Sequence, residues 1–372
     1  CSSDLATGKR LLIWSGSTLS MNATLSGSFI HINGTLLANT SRLNAVYQLS
    51  QSGGTFNGGT NTVYAGNVFS QRGGTFVSTS SGLIVGPQSA NFSSIFVRSA
   101  GTFTHNNGTV IFRSANASSV TQTFTPGNVT FYNLVFSSTV ESAARTTTIG
   151  DTFTVANNMT ILKETTAFVR TYSPSTSSPP AITIQGNLYA NTSNDSAINL
   201  NGQTFVINMT GTSPVVAVPL GGFNVTLNMQ GTGTAQLSLS GSYTTGTGTT
   251  TISQNTVLTA KTRVYNLIIN NGSNLDVSPD NGSTIYDLRI LRDFYNKGTY
   301  TARTNTTTFA SPNIIAPVIS TNAGTTFNDV VFTYIDSSNA ATTTLSGSFT
   351  VNGNITITKT AGLSARTIAP TV

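Results

Sequence analysis

Apolar residues alternate with Thr, Ser and Asn in short stretches along most of this 372-residue chain. Examples are Thr109-Val110-Ile111-Phe112, Asn128-Val129-Thr130-Phe131, Ala181-Ile182-Thr183-Ile184 and Phe223-Asn224-Val225-Thr226-Leu227. A period of two predicts short strands with an apolar side facing inward and a small polar side facing outward. Asn106-Asn107-Gly108, Pro126-Gly127 and Gly186-Asn187 stand between such stretches and supply the turns. Helical periodicity is nearly absent. Tyr286 to Asn296 is the one stretch that reads as a helix candidate, yet Ile285-Tyr286-Asp287-Leu288 parallels Val264-Tyr265-Asn266-Leu267 earlier in the chain. A strand is therefore predicted there.

The strand patterns recur. Gly101-Thr102-Phe103, Phe131-Tyr132-Asn133-Leu134-Val135-Phe136 and Phe153-Thr154-Val155 return later as Gly298-Thr299-Tyr300, Phe327-Asn328-Asp329-Val330-Val331-Phe332 and Phe349-Thr350-Val351. The second and third elements keep the same spacing in both copies, from Phe131 to Phe153 and from Phe327 to Phe349. Gly53-Gly54-Thr55-Phe56 is soon followed by Gly73-Gly74-Thr75-Phe76, and Leu25-Ser26-Gly27-Ser28-Phe29 recurs as Leu345-Ser346-Gly347-Ser348-Phe349. Coils of about 20–24 residues with three short strands each predict an all-β parallel β-helix, a β-solenoid. Tandem β-sandwich domains, which also place short strands roughly every 8–12 residues, are the alternative. The proline-rich run Ser173 to Pro180 marks a boundary. It divides a first solenoid part, 1–172, from a less regular middle, 173–260, and a last solenoid part, 261–372, that repeats the 101–161 pattern.

Composition narrows the class. Charged residues are 8% of the chain, against roughly a quarter in an average soluble protein. A surface of hydroxyls and amides suits extracellular material, and steady Val, Ile, Leu and Phe at strand spacing argue against disorder. The net charge is +6, but the 17 Lys and Arg are scattered without interleaved aromatics, so a nucleic-acid groove is not predicted. The mild positive charge is compatible with cell-wall or other glycans. No stretch reaches the roughly 20 apolar residues of a membrane span. The single cysteine is Cys1, and an interior free of cysteine fits a secreted prokaryotic protein.

Two resemblances follow from these residues. Cys1-Ser2-Ser3 looks like the mature end of a bacterial lipoprotein, which implies a site of acylation at Cys1. The stretch from Gly101 through Phe112, followed by 131–136 and 153–161, resembles repeats in large β-helical surface proteins of prokaryotes, filamentous-adhesin-like or sheath-forming exoproteins. That resemblance covers about half the chain, mainly 98–162 and 262–358, and implies architecture without naming a catalytic residue.

Candidate chemistry is sparse. Asn-x-Ser/Thr sequons are frequent, and those in predicted turns are the better glycosylation candidates: Asn33, Asn107, Asn271 and Asn281, with Asn22, Asn116, Asn191 and Asn305 after them. Asn208 and Asn224 sit in strand patterns. His31 and His105 lie near no cysteine or acidic pair, so no metal or cofactor is predicted. The acidic residues gather once, as Asp276, Asp280, Asp287 and Asp293 beside Arg289, Arg292 and Lys297. Such a mix is what a polysaccharide-active β-helix enzyme or a Ca²⁺ turn would need. Strand alternation instead sends much of it outward as a solvated face, and the chain is not expected to be an enzyme. Runs such as Thr146-Thr147-Thr148 and Thr342-Thr343-Thr344 lack the per-coil regularity of an ice-binding ladder. The expectation is an extracellular structural protein that self-assembles into a filament, sheath or surface layer. A monomeric surface adhesin or lipoprotein binding glycans is the alternative, and a polysaccharide-active enzyme comes third.

Overall fold

The computed structural model describes residues 9–87, 94–116, 122–141, 145–163, 170–174, 180–191, 198–218, 222–240, 248–311, 317–334, 341–359 and 366–370. These residues form an all-β parallel β-solenoid with about 24 residues per turn and no helix. The chain makes two compact units, Cys1–Gln185 with Ala190–Gln203, and Gly186–Tyr189 with Thr204–Val372.

In the first unit one turn consists of Thr75–Val77, Gly82–Val85 and Ile95–Arg98, after which Thr102–Thr104 lies in parallel on Thr75–Val77. The repeated Gly-Thr-Phe triplet now has a physical reading. Gly54, Gly74 and Gly101 take φ of 60°, 73° and 89° at one corner of successive coils. A Cβ on Gly54 would collide with the Gly34 carbonyl, so the corner requires glycine on two counts. The Thr that follows donates its N–H to the glycine carbonyl one coil back, Thr75 to Gly54 and Thr102 to Gly74, at 2.9 and 2.8 Å. The Phe after it points inward. Leu19, Leu36, Phe56, Phe76 and Phe103 thereby form one column, and Leu49, Phe69, Phe96, Phe124 and Ile149 another. The columns meet, with Phe56 stacked on Phe76 at 4.5 Å between centroids and Phe69 edge-on to Phe76 at 4.9 Å.

The second unit is also built of three-strand turns. Thr262–Val264, Asn266–Ile269 and Asn274–Asp276 make one turn, and Leu288–Ile290, Phe294–Asn296 and Thr299–Thr301 make the next. Its core columns are Ile290, Phe309, Phe332 and Leu267, Phe294, Ile319, Leu345. The helix candidate at Tyr286–Asn296 is two strands, as its pattern suggested. Parallel pairs also run through the stretch 173–260, for example Val215–Ala217 on Ala235–Ser238 and that strand on Thr256–Leu258.

Register departs from the spacing of the sequence repeats. Phe131 lies against Val155 and Phe327 against Val351, in each copy two positions beyond the phenylalanine that the repeat would pair with it. Val264 stacks on Ile290, not on Ile285. Coil length also varies more widely than the repeats imply, from the short step that sets Ile252 on Ile269 to the long one that sets Phe96 on Phe124. Corner loops absorb the difference while strands stay aligned. The Leu-Ser-Gly-Ser-Phe pair also diverges. Residues 25–29 open the continuous strand Leu25–Ile32, with its register shift after Gly27, whereas Gly347, at φ 86°, separates Ala341–Ser346 from Phe349–Val351.

Candidate functional site

A polar column lies inside the glycine corner of the first unit. Gln51, Gln71 and Arg98 are aligned coil over coil and are all buried. Gln51 Nε2 donates to the carbonyls of Gly53, Gly54 and Thr75, and Gln71 Nε2 to those of Gly74 and Thr102. The side chains thus give the Gly54 and Gly74 carbonyls a second donor beside the N–H groups of Thr75 and Thr102. Arg98 ends the described column. Its Nε donates to Gln71 Oε1 at 2.6 Å, one terminal nitrogen to Gly101 O at 2.9 Å, and the other to Pro126 O at 2.8 Å and Gly127 O at 3.2 Å. Burial pushes its pKa down, since among the described residues its partners are an amide and carbonyls, with no carboxylate.

Above this arginine the outer ladder breaks. Thr102–Thr104 pairs with Thr75–Val77 on one side and is an edge strand on the other, while Thr130–Phe131 of the next coil pairs onward with Phe153–Val155. The break opens a cleft of about 500 Å³ lined by Arg98, Phe103, His105 and Asn128, among others. Arg98 ties its two lips together, Gly101 on one and Pro126–Gly127 on the other. Phe56 and Phe76 are fully buried, but Phe103, the next ring in the column, is half-exposed here. Its ring carries the Arg98 guanidinium at 5.7 Å and meets Phe131 edge-on at 5.5 Å. His105 pairs with Tyr132 at 5.6 Å, and its Nδ1 accepts the Asn107 N–H at 3.0 Å. The sequence reading missed this site. Its signal was a polar residue, Gln or Arg, three places before the glycine of each Gly-Thr-Phe triplet.

The acidic cluster of the second unit does not converge. Asp276 holds Arg303 in a two-point ion pair at 3.1 and 2.7 Å, and Arg303 also donates to Asn281 Oδ1 at 2.9 Å. Asp280 accepts from Thr284 N and Oγ1, both at 2.6 Å, and from Ser278 Oγ at 2.9 Å, which holds its carboxyl below the usual range. Asp287 and Asp293 accept the N–H groups of Thr306 and Val318 on the next coil, each at 3.0 Å. These carboxylates secure turns and coils one by one. Among the described residues no group of three or more His, Cys, Asp or Glu is placed to hold a metal.

Of the sequons, Asn22, Asn107, Asn271 and Asn281 lie on exposed turns, and Asn33 is half-buried at a corner. Asn107 and Asn281 take φ of 55° and 57°, as turn asparagines do. Asn305 is 2% exposed and donates Nδ2 to Tyr300 Oη at 3.0 Å, a poor acceptor position for a glycan on the folded chain. Cys1 lies outside the described residues, as do the side chains of Asn116 and Asn191. His31 shares hydrogen bonds with Ser50 and Ser52 at 2.9 and 3.0 Å, beside a cavity of about 210 Å³. The threonine runs 146–148, 249–251, 306–308 and 342–344 bury their middle members, Thr147, Thr250, Thr307 and Thr343.

The chain matches no family model, and no curated protein or solved structure resembles it significantly. The β-solenoid is thus established by its strand register and not by kinship.

Proposed function

We propose that this is an extracellular structural protein, a self-assembling subunit of a filament, sheath or surface layer of the prokaryotic β-helical kind. The observation that supports this reading most is the coil-on-coil register. In each unit the backbone hydrogen bonds run in one direction through aligned strands, over aligned columns of Phe, Leu and Ile. Such stacking resists deformation along the ladder, and a nearly uncharged Ser/Thr/Asn coat lets neighbouring surfaces approach without strong repulsion. Subunits join through open strand edges or end to end, and head-to-tail contacts propagate unless they close. Among the described residues the strand Ile355–Lys359 is paired on one side only and exposes Ile355 and Ile357, at 59% and 61%. Negative-stain electron microscopy of undenatured protein tests the proposal: filaments, tubes or sheets are expected. Dispersed particles across a wide concentration range would overturn it.

The cleft over Arg98 favours a second reading, a glycan-binding surface adhesin. A half-exposed Phe103, flanked by threonine hydroxyls and the Asn128 amide, offers a stacking face and polar partners of the kind that sugars use. Its test is binding of neutral oligosaccharides, which Phe103→Ala should abolish. Equal binding by the variant would remove this reading.

A further inference from the structure

Arg263 and Arg289 lie directly over one another on adjacent coils of the second unit, Cα partner to Cα partner in the parallel pair Thr262–Val264 on Leu288–Ile290. Both side chains point away from the core, since the flanking Thr262, Val264, Leu288 and Ile290 are buried and the two arginines are half-exposed. Coils stack at about 4.8 Å, so two like charges face each other at close range, an arrangement that costs stability in a sheet. The next residue in the column, Thr308, brings no compensating charge.

The neighbouring charges are committed elsewhere. Lys261 lies 3.7 Å from Asp287, and Arg292 lies 3.4 Å from Asp293. Among the described residues neither Arg263 nor Arg289 has a carboxylate partner, and Arg289 Nε is buried with no hydrogen-bond acceptor. Burial and then the charge of Arg263 push the Arg289 pKa down, in keeping with an uncompensated pair. The neighbouring aspartates each serve a turn or the next coil, so this cation pair is left without an internal answer among the described residues.

We propose that Arg263 and Arg289 form an oxyanion-binding site that receives the carboxylate or sulfate groups of an acidic polysaccharide. One oxyanion bridges the two guanidinium forks and cancels the repulsion that the ladder enforces. A polysaccharide fits better than a buried cofactor, because the pair lies on an outward sheet face between polar residues. The site does not depend on self-assembly, and it lies in a different unit from the cleft over Arg98.

The test is isothermal titration of the intact chain in low salt with oligogalacturonate, with neutral maltodextrin of equal length and with sodium sulfate. Oligogalacturonate should bind, and maltodextrin should give no heat that depends on these arginines. Arg263→Gln and Arg289→Gln should each weaken binding roughly tenfold or more, as loss of a charge-assisted contact does. Arg289→Lys, which keeps the charge and loses the fork, should recover only part. Arg42→Gln, at an exposed arginine elsewhere, should leave binding intact. Neither glutamine variant should melt below the wild type without ligand, because each relieves the repulsion. Sulfate binding with the same variant dependence but no binding of oligogalacturonate would overturn the polysaccharide assignment and leave a site for free anions. Failure of all these anions to bind, or equal weakening by Arg42→Gln, would overturn the site.

Discussion

Phe76 shows what a single core residue does in this architecture. It is fully buried, it stacks on Phe56 at 4.5 Å, and it touches Phe69 and Phe103 at 4.9 and 5.6 Å. Phe76→Ala removes a ring shared by three coils and leaves a cavity that the fixed coil spacing cannot close. A loss of about 3–5 kcal/mol is expected, read as a lower denaturant midpoint in chemical unfolding. Tyr300 offers a second residue-scale test. Its phenol is buried, bonds to Thr307 Oγ1 at 2.8 Å and accepts from Asn305 at 3.0 Å; burial pushes its pKa up to about 12. An acid whose folded pKa lies above its unfolded value, near 10, favours the fold fully below pH ~10. That contribution is lost as pH rises from about 10 through about 12. Absorbance titration of the wild type against Tyr300→Phe should show one phenol ionising near pH 12, with stability falling in the same window. Ionisation of that phenol at its ordinary pH would contradict its burial.

At the scale of elements, the break in the outer ladder sets the chemistry of the cleft. Thr55–Asn57 and Thr75–Val77 are bonded on both sides, whereas Thr102–Thr104 is bonded on one. Hydrogen exchange should therefore be faster in Thr102–Thr104 than in Thr75–Val77, although both carry the same Thr-Phe pattern. Equal protection would mean that the ladder is closed there. The cause lies partly in coil length. Thr35, Thr55 and Thr75 follow one another at equal steps along the chain, but the step from Thr75 to Thr102 is longer. As the longer coils begin, Arg98 replaces the glutamine of earlier corners and its longer side chain reaches the carbonyls of the next lip. Removing that arm leaves buried carbonyls and Gln71 Oε1 without a donor, so Arg98 is a structural part of whatever the cleft binds.

For the molecule as a whole, sparse charge is the governing property. With 17 basic and 11 acidic residues among 372, most of them scattered, few ion pairs contribute to folding. Lys261–Asp287 is an exposed example, worth little in water. Stability rests on the ladder and the apolar columns, neither of which salt screens. Raising sodium chloride from about 50 mM to about 1 M, a Debye length falling from above ~10 Å to about 3 Å, should move the melting temperature only slightly. Any shift should be upward, through relief of the Arg263–Arg289 repulsion. A large fall would mean that ion pairs carry the fold.

Local periodicity determined the secondary structure, since alternation, glycine and asparagine placement are properties of neighbouring residues. The strand at Leu288–Ile290, the Phe56–Phe76 column and the three-strand coil were all legible in that way. The small misplacement of Phe131 against Phe153 kept every side chain on its correct face, because it amounts to one strand period. Tertiary structure alone decided register, the division into units and the company each polar residue keeps. Gln71 and Arg98 read as ordinary polar residues until the coils stack them beneath the corner carbonyls to which they donate. Asp276 to Asp293 looked like a cluster along the chain, yet in the fold each carboxylate is held by its own donors. Arg263 and Arg289 are distant in sequence and neighbours in space, because loop length, which no local pattern encodes, fixes which coil positions meet.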